Sequence, residues 1–345
     1  MRHIAVIGAG MAGITAARTL VQAGHRVSVF EKSKGAGGRM ATRDTPYGGF
    51  DHGAQYFTVR DERFMKALNE VPGTQALCKP WSASAVQVRD ALGRVIEVPP
   101  RSRELHFVGA PAMNALVRHW AQPLADAGML HCNTSVKALR RQGKQWQLLN
   151  AEDKLLGSFD SVVLAIPNVQ AAYLLRQSGA PAAQFKALEA TEAVVVAPCW
   201  TLMLAFPLVQ PGLGQMGPQW NVAQSTHHRI AWVARESSKP GRSPIERWTV
   251  QASAEWSQEH VQDDEVRVQA KLLKAFAELT GIRAEPGFSQ IHLWRYAKTL
   301  KPAGQAFFWD QDLHIGLCGD WLIGHRVEDA FISGLSLALD IPAPV

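Results

Sequence analysis

The sequence predicts an α/β fold of two domains, one built around a parallel sheet and the other a mixed-sheet insertion. Three observations carry that reading. A glycine-punctuated βαβ unit opens the chain, a long apolar and β-branched run occupies its middle, and short apolar strands with an apolar helix close it. At 345 residues, with 47% hydrophobic and 19% charged residues, there is material for two cores.

His3 to Ile7 reads as a short buried strand, Met11 to Ala23 as a helix with an apolar face, and Arg26 to Phe30 as a second strand. Lys34 to Asp51 is Gly-rich and turn-like, and Asp61 to Val71 is helical. Ala83 to Val98 alternates apolar and polar residues, which predicts a hairpin turning at Leu92-Gly93. Ala110 to Ala127 predicts a helix, followed by strands near Leu130, at Ser135 to Leu139 and at Gln145 to Leu149. Ser161 to Ile166 is nearly all apolar, as in a strand buried on both faces, and Pro167 ends it. Val169 to Leu175 reads as a helix, and Ser178 to Ala183 is rich in Ala and Pro. Glu192 to Phe206 predicts a long strand, with Ile230 to Val233 and Trp248 to Ala252 as partners. Ser253 to Leu279 has the period of a helix pair, with Asp263-Asp264 at a cap. Ile291 to Tyr296 and His314 to Cys318 return as strands before the closing helix Ala330 to Leu339.

Several function classes are excluded by composition. The net charge of +6 and pI near 9.2 are mildly basic, but Lys and Arg are scattered, so no nucleic-acid stripe is indicated. A basic balance also suits phosphate-bearing small molecules. No run reaches the roughly 18 apolar residues of a spanning helix, so no membrane role is expected. The glycines that punctuate the opening apolar run argue against a signal peptide. Cys78, Cys132, Cys199 and Cys318 are widely spaced, without CxxC or metal-ligand spacing. Buried thiols in a reducing cytoplasm are expected, and no metal. His227-His228 resembles a metal pair only superficially, because adjacent histidines in a strand point to opposite faces.

Gly8-Ala9-Gly10-Met11-Ala12-Gly13 follows a strand and opens a helix, the context of a Rossmann-type dinucleotide fingerprint. Gly8 permits the tight turn, Gly10 admits a pyrophosphate to the backbone, and Gly13 allows close helix packing. The helix N-terminus offers unpaired N–H groups to that anion. Glu31 ends the second strand, 18 residues beyond Gly13, where its carboxylate can hold an adenosine ribose. NAD and FAD share this fingerprint. A second cluster, Gly35-Ala36-Gly37-Gly38-Arg39-Met40, favours FAD, since its amides can line the same pyrophosphate while Arg39 neutralises charge or holds the loop.

Glu31-Lys32 with Gly37-Gly38-Arg39-Met40 resembles the flavin-containing amine oxidase superfamily. Gly49-Phe50-Asp51-His52-Gly53-Ala54-Gln55-Tyr56-Phe57 resembles its renalase-like branch, in which this segment runs beside the flavin. Cys318-Gly319-Asp320-Trp321 resembles the second FAD motif, and Arg326-Val327-Glu328-Asp329-Ala330 with Ser333-Gly334 the helix that aims its N-terminus at the flavin pyrimidine. Ala165-Ile166-Pro167, Pro198-Cys199-Trp200, Ser238-Lys239-Pro240-Gly241-Arg242 and Trp294-Arg295-Tyr296-Ala297 match renalase-like patterns too. Two departures are Gly324-His325 in place of Ser-Gly, and Asp329 in place of Gly.

The resemblance implies a fold of the p-hydroxybenzoate hydroxylase type. Residues 1–75, 106–170 and 290–345 would form the FAD domain, with 76–105 and 171–289 as the substrate domain. It implies a noncovalent FAD held by Gly8, Gly10, Met11, Ala12, Gly13, Glu31, Lys32, Gly38, Arg39, Met40, Gln55, Tyr56, Phe57, Val136, Gly319, Asp320, Arg326, Val327 and Ala330. Val136 would hold adenine through its backbone.

For chemistry it implies a small-molecule substrate and O2. A renalase-like enzyme oxidises 2- or 6-dihydro isomers of NAD(P)H to NAD(P)+, giving H2O2. The alternatives are a flavin-dependent amine oxidase and a flavin-binding protein without turnover. Arg326 stands where amine oxidases usually carry an aromatic cage residue, and a guanidinium repels an ammonium. A salt bridge to Glu328 or Asp329 is the structural alternative for it. Hydride donation from a dihydropyridine needs no general base, and no catalytic triad is visible. Candidate substrate-site residues are His52, Gln55 and Tyr56, then Trp294, Arg295 and Tyr296, although Trp294 and Tyr296 read equally as core and His52 as a turn cap. Lys239 and Arg242 read as dinucleotide phosphate ligands or as a solvated loop.

Overall fold

Parallel pairing of His3–Ile7 with Arg26–Phe30, through the helix Met11–Gln22, starts a six-stranded sheet. Its order is Phe308–Asp310, Ile315–Leu317, Ser161–Leu164, His3–Ile7, Arg26–Phe30, Leu130–His131. Every pairing is parallel except that of Phe308–Asp310, so the central strands are apolar on both faces, as the sequence predicts. The computed structural model describes residues 1–81, 86–96, 104–178, 186–208 and 220–344.

Two layers cover this sheet. On one face lie the first helix, Ala115–Asp126 and the closing helix Val327–Asp340, packed around Ile14, Leu20, Trp120 and Leu337. The first and last helices cross so closely that a Cβ on Gly334 would lie 2.2 Å from the Ala12 carbonyl oxygen. On the other face lie an antiparallel sheet of Ala138–Gln142, Gln145–Leu149 and Leu155–Phe159, and the helices Asn168–Gln177 and Lys186–Glu192. Trp146, Phe159, Leu164 and Leu175 join these elements to the strands.

A second sheet of seven strands runs in the order Phe288–Lys301, Val195–Phe206, Glu246–Ala252, Ile230–Arg235, Val222–Ser225, Val86–Arg89, Val95–Ile96. Its pairings are antiparallel except between Val222–Ser225 and Val86–Arg89. Strand alternation sorts the two faces. Trp200, Leu202, Leu204 and Phe206 point to the helices Ala254–Glu259 and Glu265–Thr280, whereas Met203 and Ala205 meet Phe50 on the opposite face. Asp264 caps the longer helix, its carboxylate accepting from Val266 and Arg267 N–H.

The structure departs from the sequence reading in several places. The helix predicted from Ala110 begins at Ala115: Pro111 disfavours helical geometry at Ala110, and the Met113 N–H is given to Thr42 Oγ1 and Asp51 Oδ1. The strand predicted from Ser135 begins at Ala138, and Glu192 ends a helix rather than starting the strand Val195–Phe206. The turn-like segment Lys34 to Asp51 holds a short strand pair, Thr42–Arg43 with Phe50–Asp51. Leu155–Phe159, Val222–Ser225 and Phe308–Asp310 are strands that the sequence reading passed over. The predicted hairpin of Ala83 to Val98 is present as Val86–Arg89 paired with Val95–Ile96, while 83–85 and 97–98 lie outside the described residues, as do 179–183 of the Ala/Pro-rich stretch. The expected domain boundary at 290 cuts the continuous strand Phe288–Lys301, which is hydrogen-bonded into the seven-stranded sheet. The expected boundary at 170 cuts the helix Asn168–Gln177, which packs on the first sheet through Ala171 and Leu175.

Candidate functional site

A cavity of about 1740 Å³ runs along the C-terminal ends of the parallel strands and under the free face of the seven-stranded sheet. Its floor begins at the first βα turn. Gly8 has φ +104°, and a Cβ there would lie 2.5 Å from the Ala165 carbonyl oxygen, so only glycine fits. Gly10 caps the first helix with no side-chain partner, leaving the N–H groups of Met11 and Ala12 facing the cavity without intrahelical acceptors. Gly13 does not line the cavity. A Cβ on it would lie 2.0 Å from the Gly8 carbonyl oxygen, so its role is to let the helix sit against the turn.

The second glycine cluster folds back on the first. Gly37 N–H donates to the Ala9 carbonyl at 2.9 Å, and Gly38, at φ +55°, comes so near that a Cβ would be 3.1 Å from Gly10 Cα. Arg39 then reaches across to the far end of the chain. Its guanidinium forms a two-pronged ion pair with Asp320, one contact being 3.0 Å, and a third N–H donates to the Ala297 carbonyl at 3.3 Å. Arg39 therefore neutralises Asp320 and fixes the loop. Gly319 N–H donates to Ser333 Oγ at 2.9 Å, which seats the same motif on the closing helix.

At the opposite end, Glu31 is buried and accepts from Ala9 N–H and Ser33 N–H, each at 2.8 Å. One lone pair on each oxygen is thus engaged, and the others remain for a hydroxyl donor. Lys32 and Val136 line this end. Val136 precedes the strand Ala138–Gln142, and its N–H and C=O have no partner among the described residues. A backbone donor and acceptor left open at a cavity wall suit a purine edge. The turn, the paired glycine loops, the open Val136 backbone and the helix ends together fit FAD. Met40, Val327 and Ala330 also line the wall; Phe57 does not. Contrary to expectation, Phe57 is core, 2% exposed and stacked at 5.8 Å on Phe107, since alternation along the segment turns it away from Tyr56.

The free face of the seven-stranded sheet closes the cavity from above. Trp232, Gln251, Thr201 and His292 stand opposite one another on four adjacent strands, and the segment Gly49 to Tyr56 lies across this face. Gln251 donates to the Gly53 carbonyl at 2.7 Å, and Trp294 donates its indole N–H to the His52 carbonyl at 2.8 Å. The His52 ring lies 4.9 Å from His292 and 5.0 Å from Trp294. Burial, helped by the charges of His292 and Arg43, lowers the His52 pKa to about 4, so this imidazole is neutral near pH 7. Tyr56 packs on Trp232 at 5.5 Å and on His106 at 4.3 Å, and burial, then Glu104, raise its phenol pKa.

Gln55 is less available than the sequence suggests. Its amide donates to the Asp51 and Gly53 carbonyls, and its oxygen accepts from Lys239 Nζ at 3.2 Å. Lys239 and Arg242, read as phosphate ligands or a solvated loop, are neither. Lys239 Nζ is wholly buried, 3.0 Å from both Asp51 and Glu236, and Arg242 lies 2.6 Å from Asp51. Burial alone would raise the Asp51 pKa, but Lys239 and Arg242 outweigh it and hold the carboxyl at about 2.

Arg295, Tyr296 and Arg326 line the cavity, as expected. The salt bridge considered for Arg326 does not form. Glu328 is occupied by Arg60 and Asp61 N–H, each at 2.7 Å, and Asp329 accepts the backbone N–H of Arg326 at 2.8 Å, capping the closing helix. Cys318 is buried and its thiol is pushed up to about 12 by desolvation, the inert behaviour anticipated for it. His227 and His228 stack at 4.5 Å in a bend instead of pointing apart, and His227 pairs with Glu278 at 3.2 Å. Among the described residues no cluster of metal-ligating side chains occurs, and no helix is long and apolar enough to cross a membrane. Sequence reasoning missed Trp232, Gln251, His292 and Arg43 on the wall. Alternation could have given the face of each, but not their cross-strand register.

Comparison with known proteins agrees with this geometry. Residues 6–71 match an NAD(P)-binding Rossmann-like domain, and residues 95–341 match the flavin containing amine oxidoreductase family. Over 41 residues, 12% of this chain, the sequence is 54% identical to an L-amino-acid oxidase of Bothrops pauloensis and 51% identical to one of Lachesis muta. Those matches span only 8% of the relatives' length. Among solved structures, a candidate protoporphyrinogen oxidase from Exiguobacterium sp. 255-15 aligns over 99% of this chain and 98% of its own, with a TM-score of 0.77 at 12% identity. Cyclohexylamine oxidase from Brevibacterium oxydans IH-35A aligns over 98% of each chain, with a TM-score of 0.70 at 13% identity. These structural likenesses establish the shared fold.

Proposed function

From the premise that this chain belongs to the flavin containing amine oxidoreductase family and is an FAD-dependent oxidoreductase, we propose that it is renalase-like, oxidising 2- or 6-dihydro isomers of NAD(P)H to NAD(P)+. Bound FAD supplies a hydride acceptor and returns the two electrons to O2, which leaves as H2O2 with one added proton.

The observation that carries this reading is the charge of the cavity wall. Nine lysine or arginine residues line it against four carboxylates, Glu31, Asp44, Glu255 and Asp320. Arg39 and Asp320 neutralise each other, which leaves eight cations against three carboxylates, and Glu31 already holds two backbone amides. Such a wall attracts a dinucleotide carrying phosphates and repels an ammonium. Arg326, with no acidic side chain paired to it among the described residues, adds to that bias beside Tyr56.

The protein's remaining work is positioning and exclusion of water. Tyr56 and Trp232 offer apolar ring faces to a planar nicotinamide, and His52 and Trp294 close the wall beside them. No side chain has to remove a proton, since the substrate gains aromaticity as its hydride departs. A neutral His52 suits that requirement.

The amine oxidase reading draws its support from the family and from the paired rings of Tyr56 and Trp232. Anaerobic mixing of the yellow holoenzyme with 6-dihydro-NAD(P), beside a panel of primary amines and amino acids, separates the two. Rapid bleaching of the visible flavin band by the dihydronicotinamide alone is expected. Bleaching by an amine alone would transfer the assignment to the alternative.

A further inference from the structure

We propose that Arg43 is the anchor for a phosphate of the substrate, an inference that rests on the dihydronicotinamide reading above. Arg43 ends the short strand Thr42–Arg43, whose partner Phe50–Asp51 runs directly into the wall residue His52. It lines the cavity and is half-buried, yet no carboxylate or carbonyl among the described residues takes its side-chain N–H groups. Its neighbours are treated differently. Arg39 is neutralised by Asp320, and Arg242, on the other side of Asp51, is neutralised by that carboxylate. A guanidinium partly withdrawn from water and given no acceptor is an unfavourable arrangement that an anionic ligand relieves.

The surroundings of Arg43 extend the same chemistry. Its charge acts on His52 and His292, whose rings lie 4.9 Å apart: burial, then His292 and Arg43, lowers the His52 pKa to about 4, and burial, then Arg43, lowers that of His292. A neutral imidazole can donate one N–H to a phosphate oxygen without adding charge. Arg326 also lines this wall without an ion pair among the described residues, but it is placed otherwise, because its charge is felt by Glu104 and by Tyr56. The segment His52 to Tyr56 thus runs from an anion-binding end at Arg43 to an aromatic end at Tyr56 and Trp232. A nicotinamide dinucleotide presents one group for each.

The test is calorimetric titration of the oxidised holoenzyme with NAD+, which carries two phosphates, and with nicotinamide riboside, which carries none. Loss of a charge-assisted, forked contact in Arg43→Met is expected to weaken NAD+ binding roughly 10–100-fold and to leave the riboside within about twofold. Arg43→Lys recovers part of the loss, because it keeps the charge and gives up the fork. Its recovery also shows that the fold is intact. Unchanged NAD+ affinity in Arg43→Met, equal losses for both ligands, or no NAD+ binding by the wild type overturns the assignment. The bleaching experiment judges the reaction separately. An enzyme bleached by dihydronicotinamides that binds NAD+ equally with and without Arg43 refutes this inference alone. One that binds NAD+ through Arg43 but is not bleached refutes the reaction alone.

Discussion

Replacing Lys239 by Met would test whether the buried charges beneath the cavity wall hold the two sheets together. The ammonium has three donors and three acceptors, Asp51 at 3.0 Å, Glu236 at 3.0 Å and Gln55 at 3.2 Å, and the side chains of all three charged groups are fully buried. Removing one partner from such a network leaves an uncompensated buried charge, which costs about 3–5 kcal/mol. Asp51 keeps Arg242, so the burden falls on Glu236, left with the Thr249 hydroxyl at 2.7 Å. Burial already raises the Glu236 pKa, and in the variant this carboxyl escapes the cost by taking up a proton. The loss is therefore nearest the upper figure at neutral pH and smaller in mild acid. Urea unfolding of the variant across that range measures it. Arg140→Ala, which breaks the exposed pair with Asp153, should change stability by less than about 1 kcal/mol and serves as the reference. A Lys239→Met protein as stable as that reference at neutral pH would refute the argument.

Two further outcomes follow from geometry already given. His52 has a folded pKa near 4 against an ordinary 6.5, so the unfolded chain binds the extra proton first as pH falls. Stability from this group is therefore full above about pH 6.5 and declines by about 3 kcal/mol as pH falls toward 4, a slope that His52→Gln should lack when unfolding is followed across that window. Gly13→Ala places a Cβ 2.0 Å from the Gly8 carbonyl oxygen, and forcing the helix off the turn should cost at least about 2 kcal/mol. The ratio of flavin to protein after purification should drop sharply, and full occupancy would disprove the role given to Gly13.

The parts of the site that were legible in the sequence are those written in contiguous residues. Gly8 to Gly13, Glu31 and Gly37 to Arg39 each sit where strand, turn and helix signals fix them locally, and Asp320 follows a buried strand. The roof was not legible, because Trp232, Gln251 and His292 become neighbours only through the register of separate strands. Lys239 and Arg242 were misread for a related reason. Pro240 and Gly241 have the chemistry of a surface loop, and their neighbours are buried because Glu236 and, from other parts of the chain, Asp51 and Trp81 close over them. The boundary expected near residue 290 cuts a strand that pairs with Val195–Phe206 from end to end, Gln290 with Met203 and Trp294 with Cys199, while Trp294 also lines the cavity.

The ion pair between Arg39 and Asp320 spans 281 residues of sequence. During synthesis the ribosome therefore delivers one half of this grip long before the other. The nascent βαβ unit must keep its glycine loops from misfolding while the whole inserted sheet is made and folds. The strand His3–Ile7 waits in the same way for Ser161–Leu164, its neighbour on one side. A flavin held by both halves of this grip is expected to be captured only after residue 320 has been made.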